Sequence, residues 1–155
     1  MKDSERTINN HCSLTKTCMG IMLLLIGCLV YLLFRSKTLH IYVWCESLGL
    51  SAPIDALRIA VQNWPIPVFV KFSLPDGLYC ASYLLIIDGI WHNEKRWKKY
   101  LFLAAVPVIT VSSELLQFFG LAKGTFDMLD LICYLFPPLI YIVINTKIFT
   151  KLKIK

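Results

Sequence analysis

The chain has 155 residues, 57% of them hydrophobic and 17% charged, with a mean hydropathy of +0.62 and a formal net charge of +6. Soluble domains carry about 45–50% apolar and about 25% charged residues. The long apolar blocks therefore exclude disorder, a rod-like coiled coil or collagen, and a disulfide-stapled miniprotein. The basic residues flank apolar blocks and form no nucleic-acid-binding stripe, so the expectation is a membrane protein with no nucleic-acid partner.

Residues 1–16 are polar and mixed in charge, an amino-terminal segment expected in water. A first span is expected over residues 17–35, where Cys18–Phe34 carries no charge, matching the roughly 17–25 residues that a spanning helix needs. It ends in Phe34-Arg35-Ser36-Lys37, which is no signal-peptidase site, so the expectation is a retained span. Residues 36–73 are too polar to span and too apolar for a free linker. Within them Pro53–Val61 reads as a short interfacial helix with proline in its first turn. A second span is expected over 74–91, opening at Pro75-Asp76-Gly77, followed by a basic loop over 92–99. The third covers 100–119, with Pro107 inside it, and a turn occupies 120–127. The fourth covers 128–146, with a bend expected at Pro137-Pro138, and a basic tail fills 147–155. The fold class expected is all-α: a four-helix transmembrane bundle with an interfacial helix between spans 1 and 2.

Loop charge sets the orientation. Lys95, Arg96, Lys98 and Lys99 in the loop, and Lys147, Lys151, Lys153 and Lys155 in the tail, mark the cytoplasmic side. With the amino end inside as well, eleven of the sixteen positive residues are cytoplasmic, against Arg35, Lys37, Arg58, Lys71 and Lys123 outside. The six cysteines show no metal-ligand or redox spacing and read as small hydrophobes.

An ionisable group within a span costs about 2.5–3.5 kcal/mol on insertion scales, so each needs a reason. Asp76, Ser113, Glu114, Gln117, Asp127, Asp130 and Tyr134 all fall toward the outer ends of spans 2, 3 and 4. Glu114 and Gln117 share a helical face, as do Asp127, Asp130 and Tyr134, so three helices can present them to one outward-facing acidic cleft. Asp76 and Asp127 also stand at helix starts, where a carboxylate caps free amides. Glu114 and Asp130 lie a turn or more inside, where hydrogen-bond glue between helices is the bland alternative. Asp88, at the opposite end, is expected to pair with Lys95 or Arg96. Trp91, Trp97 and Tyr100 read as an aromatic belt.

The stretch Ser113-Glu114-Leu115-Leu116-Gln117, followed by Asp127 and Asp130 across a short loop, resembles the signature of the VanZ-like family of small bacterial membrane proteins. Leu74-Pro75-Asp76-Gly77 stands where that family carries an earlier polar motif, and the resemblance covers about Leu74–Tyr141. The chain departs from the pattern at Gly124, where the family commonly has Arg, at Tyr134, where it has Asn, and at Pro137-Pro138, where it has Gly. Lys123 is then the nearest cation to replace the Arg. The resemblance implies a bacterial inner membrane and a cell-envelope role, without supplying a reaction.

The function expected is binding or handling of a cationic, metal-bridged or lipid-linked envelope ligand, with membrane lipids, an envelope precursor, a protein or a second copy of the chain as partners. Hard carboxylate oxygens suit a divalent cation, which Glu114, Asp127 and Asp130 would hold; no other cofactor is expected. A passive scaffold or partner subunit and a small oligomeric transporter component are the alternatives. Catalysis is the weaker reading, because no histidine, nucleophile elbow or phosphate loop accompanies the carboxylates.

Overall fold

A computed structural model describes residues 2–92 and 97–153, with side chains over 11–92 and 97–145. The described residues form seven helices and no strand: α1 Lys2–Phe34, α2 His40–Ser47, α3 Ser51–Val61, α4 Val68–Phe72, α5 Leu74–Ile90, α6 Trp97–Phe118 and α7 Met128–Lys153. Three helical stretches are long and apolar enough to cross a membrane: His11–Phe34, Trp97–Phe118 and Met128–Asn145. Their outer surfaces display large apolar side chains such as Leu25, Ile109 and Ile142, which water would not tolerate over so large an area. The expected second span, α5, has 17 residues. At about 1.5 Å per residue it measures about 25 Å, short of a hydrocarbon core of about 30 Å.

α5 lies at the centre, packed against α1, α4, α6 and α7. That position accounts for the small and polar residues it buries. A helix covered on several sides can carry small and polar side chains at its contacts, and α5 buries Cys80, Ser82, Asp88 and Gly89 beside Leu84. Its contact with α1 is the most extensive in the molecule, and α1 is patterned for it. Ser13, Thr17, Gly20, Leu24, Gly27 and Tyr31 recur at alternating steps of four and three, the spacing that keeps one seam facing a partner helix. Small residues on this seam let the backbones approach. A Cβ on Gly20 would lie 2.9 Å from the Ser82 carbonyl oxygen, and one on Gly89 would lie 3.0 Å from that of Ser13. The Ser13 hydroxyl donates to the Gly89 carbonyl at 2.6 Å. The polar amino-terminal segment is thus helical from Lys2, and its last turn packs on α5.

α7 runs helically through Pro137-Pro138. Each proline lacks the amide that would bond four residues back, leaving the carbonyls of Cys133 and Tyr134 without their helical donors. Both turn toward α5. The Cys80 thiol donates to the Tyr134 carbonyl at 3.6 Å, and Gly77 packs on Cys133, where an added Cβ would meet the carbonyl oxygen at 3.3 Å. Cys80, Leu84 and Leu103 form the buried centre, with Ile87, Tyr134 and Tyr141 around it.

At one end of α5, Asp88 joins three other helices. It pairs with Lys16 of α1 at 2.6 Å and Lys99 of α6 at 2.5 Å, and Tyr141 of α7 also reaches it. The expected partners Lys95 and Arg96 lie outside the described residues, as do the side chains of the basic tail.

Candidate functional site

The opposite end of α5 carries Asp76, 12 positions away. At about 1.5 Å per residue the two polar ends lie about 18 Å apart. Asp76 sits in the first turn of α5 with no side-chain cap bond to the helix. Its carboxylate instead faces Arg35, just beyond α1, at 3.7 Å, and the Tyr134 hydroxyl and the charges of Asp130 and Glu114 act on it.

Glu114 is 7% exposed, the most buried charged group of α6. Its Oε2 accepts the backbone N–H of Asp127 at 3.5 Å, across the turn that joins α6 to α7. Asp127 caps α7: its Oδ1 accepts the Leu129 N–H at 2.8 Å, satisfying an orphan donor of the first turn. Asp130, three residues on, lies in the field of Glu114 and Asp76. Its Oδ1 is shielded from solvent and no hydrogen-bond donor reaches it. A buried acceptor left this way costs about 1–3 kcal/mol.

The turn positions Gln117. Gly124 has φ +134°, a conformation that favours glycine, and an added Cβ would lie 2.8 Å from the Gln117 side-chain carbon. Gln117 therefore packs beneath the turn. Lys123 is exposed and is the partner of none of these acids. Ser113 is also exposed, about 100° around the helix from Glu114.

The structure thus gathers Asp76, Glu114, Asp130 and Tyr134, with Asp127 at the edge as a cap, Gln117 under the turn and Ser113 outside. Among the described residues no three His, Cys, Asp or Glu side chains converge at distances that would hold a metal ion. Asp127 gives its Oδ1 to the Leu129 amide. Sequence reasoning missed Arg35, read only as a charge flanking a span. The signal available was its place as the first charge after 18 uncharged residues, where a long side chain can reach back toward a neighbouring helix. Its guanidinium donates to the Phe72 carbonyl at 2.9 Å and stacks on Tyr31 and Phe72. An apolar cavity of about 180 Å³ between α1, α2 and α5 opens beside the pair, lined by Gly27, Tyr31, Ile41, Pro75, Asp76 and Tyr79.

A second polar group ties the connecting helices to α1. Arg58 of α3 donates to the carbonyls of Leu32 and Arg35 at 2.6 and 2.7 Å, capping the end of α1. Asp55 accepts from Lys37 at 2.7 Å and from the Tyr42 hydroxyl at 2.9 Å. Lys37, then Tyr42, hold the Asp55 carboxyl below its ordinary value, and Asp55 raises Lys37 above its own. No protein-family model matches the chain, and no curated protein or solved structure matches it either.

Proposed function

We propose that the chain is a four-span membrane protein of the bacterial inner membrane, with both termini cytoplasmic, whose acidic cluster binds the cationic group of a cell-envelope ligand at the outer leaflet. Spanning by α5 is supported by its central place and by α4, which meets it at Ser73 and lengthens the helical path. The likeness of Ser113–Asp130 to the VanZ-like signature supports the envelope role. The observation that carries the reading is the Asp130 carboxylate oxygen, dry and without a donor, among Asp76 and Glu114 with Arg35 as the cation paired to the group. An ammonium group supplies both the missing hydrogen bond and the missing charge.

The test is thermal unfolding of the purified protein with spermidine, ethanolamine, Mg²⁺ or Ca²⁺. A ligand at 100 times its Kd stabilises the protein by about 2.7 kcal/mol. An amine should raise the midpoint, and Asp130→Asn should abolish the rise. No shift with any cation, or a shift that Asp130→Asn leaves intact, overturns the reading; a shift with the divalent ions alone replaces the amine by a metal. Labelling of Lys123→Cys from outside the cell checks the orientation, and labelling only from the cytoplasm refutes it.

The scaffold reading draws on the Glu114 bond to the Asp127 amide and on the Asp127 cap, both of which hold the α6–α7 turn. Under it, Asp130→Asn stabilises the protein by relieving an unpaired charge, and no cation adds to that.

A further inference from the structure

Where α1 ends, α3 and α4 close over a cleft of about 550 Å³ that lies apart from the acidic cluster. Its charged lining is Lys37, Arg58 and Lys71 against a single carboxylate, Asp55. That carboxylate is already engaged by Lys37 and Tyr42. Arg58 donates to the neutral carbonyls of Leu32 and Arg35, which fix its position, and shares the one carboxylate, Asp55, with Lys37. Lys71 rests over the Phe34 ring at 5.6 Å, and among the described residues no carboxylate pairs with it. Three cations against one carboxylate leave the cleft lining with a net positive charge, beside apolar side chains of Phe34 and Phe72 within and Ile59 and Val68 at the rim.

We propose that this cleft binds an anionic phospholipid, with the phosphate between Arg58 and Lys71 and an acyl chain laid along the apolar lining. The phosphodiester complements the net charge, and Gln62 offers a further amide donor. The apolar span of α1 ends at Phe34, which sets the cleft at headgroup depth. Around it Ile59, Trp64 and Val68 are exposed, side chains suited to the membrane interface. A small soluble phosphate would leave that apolar lining unused.

The full-length protein, extracted into a neutral detergent with equal phosphatidylglycerol and phosphatidylcholine, is examined by native mass spectrometry for retained lipid. Wild type should retain phosphatidylglycerol preferentially. Lys71→Gln should lower that preference about fivefold, the factor equivalent to the roughly 1 kcal/mol that one basic residue contributes at an anionic surface. Lys123→Gln, which removes an exposed lysine elsewhere, should change nothing. Ile59→Glu places an anion at the exposed rim without touching either cation, and should lower the preference in the same direction. A thermal unfolding midpoint equal to wild type shows that each variant is folded. Equal retention of the two lipids, equal effects of Lys71→Gln and Lys123→Gln, or displacement by soluble glycerol 3-phosphate as effective as by lipid would each overturn the proposal.

Discussion

Asp88→Asn isolates the tie that joins the four long helices, because it keeps the side-chain shape and removes the charge. The Asp88 side chain is 5% exposed, and its partners Lys99 and Lys16 are 12% and 31% exposed. Removing one member of a buried pair costs about 3–5 kcal/mol, mostly by stranding the other charge. Lys16, nearly a third exposed, can turn its ammonium to water, so its share falls toward the 0–1 kcal/mol or so of a surface pair. Lys99 has less room to escape, while the Asn oxygen still accepts one hydrogen bond. The expected loss is about 2–4 kcal/mol. Unfolding in mixed micelles, followed by tryptophan fluorescence with Trp91 packed 5.3 Å from Phe102 as a reporter, measures it. Adding Lys99→Met to Asp88→Asn should restore at least about 1 kcal/mol, since the stranded charge is then gone. A single variant within about 0.5 kcal/mol of wild type, or strictly additive losses, would refute the reasoning.

Along the α1–α5 seam, Gly20→Ala should destabilise the same unfolding transition by about 1–3 kcal/mol, because its Cβ meets Ile86 at 2.7 Å and the Ser82 carbonyl at 2.9 Å. Gly27→Ala, whose nearest contact is Leu78 at an ordinary 3.4 Å, should be neutral or stabilising by up to about 1 kcal/mol. In the α6–α7 turn, Gly124→Ala should cost about 1–3 kcal/mol through its backbone conformation, measured as a lowered thermal midpoint. Because the folded Asp55 carboxyl sits below its ordinary value, the folded state binds fewer protons there than the unfolded one. The contribution of Asp55 is therefore present above the ordinary carboxylate range and lost as pH falls through the lowered value. Lys37, raised in the fold, contributes below its ordinary value and loses this as pH rises through the raised one. Amide protection of α2 and α3, taken relative to the intrinsic exchange rate at each pH, should fall at both extremes in wild type. Asp55→Asn should lose the acid limb and most of the alkaline one, because Asp55 is what raises Lys37.

The candidate site was legible where helical periodicity alone decides geometry. Glu114 with Gln117, and Asp130 with Tyr134, share faces whatever surrounds them, because three or four residues make one turn. The cap at Asp127 was equally readable, since a carboxylate before a helix meets the amide two residues on. Ser113 marks the limit of the method: adjacency in sequence to Glu114 placed it on another face. Asp76 shows a different limit. Its position in a first turn suggested a cap, whereas the carboxylate faces Arg35, which follows α1 and is distant in sequence.

Composition and periodicity by themselves determined that the chain is helical, that three of its stretches are long and apolar enough to cross a membrane, and that a short helix covers Pro53–Val61. These properties follow from local backbone geometry and from transfer of side chains out of water, both of which act on contiguous residues. Only the tertiary structure decided that α5 is the central helix, that Asp88 reaches Lys16 of α1, and that Arg35 stands among the acids. Those contacts join residues 72 and 41 positions apart. They depend on how closely glycine and serine let two helices approach, and on which carbonyls the prolines of α7 release, and both are settled between helices rather than along one.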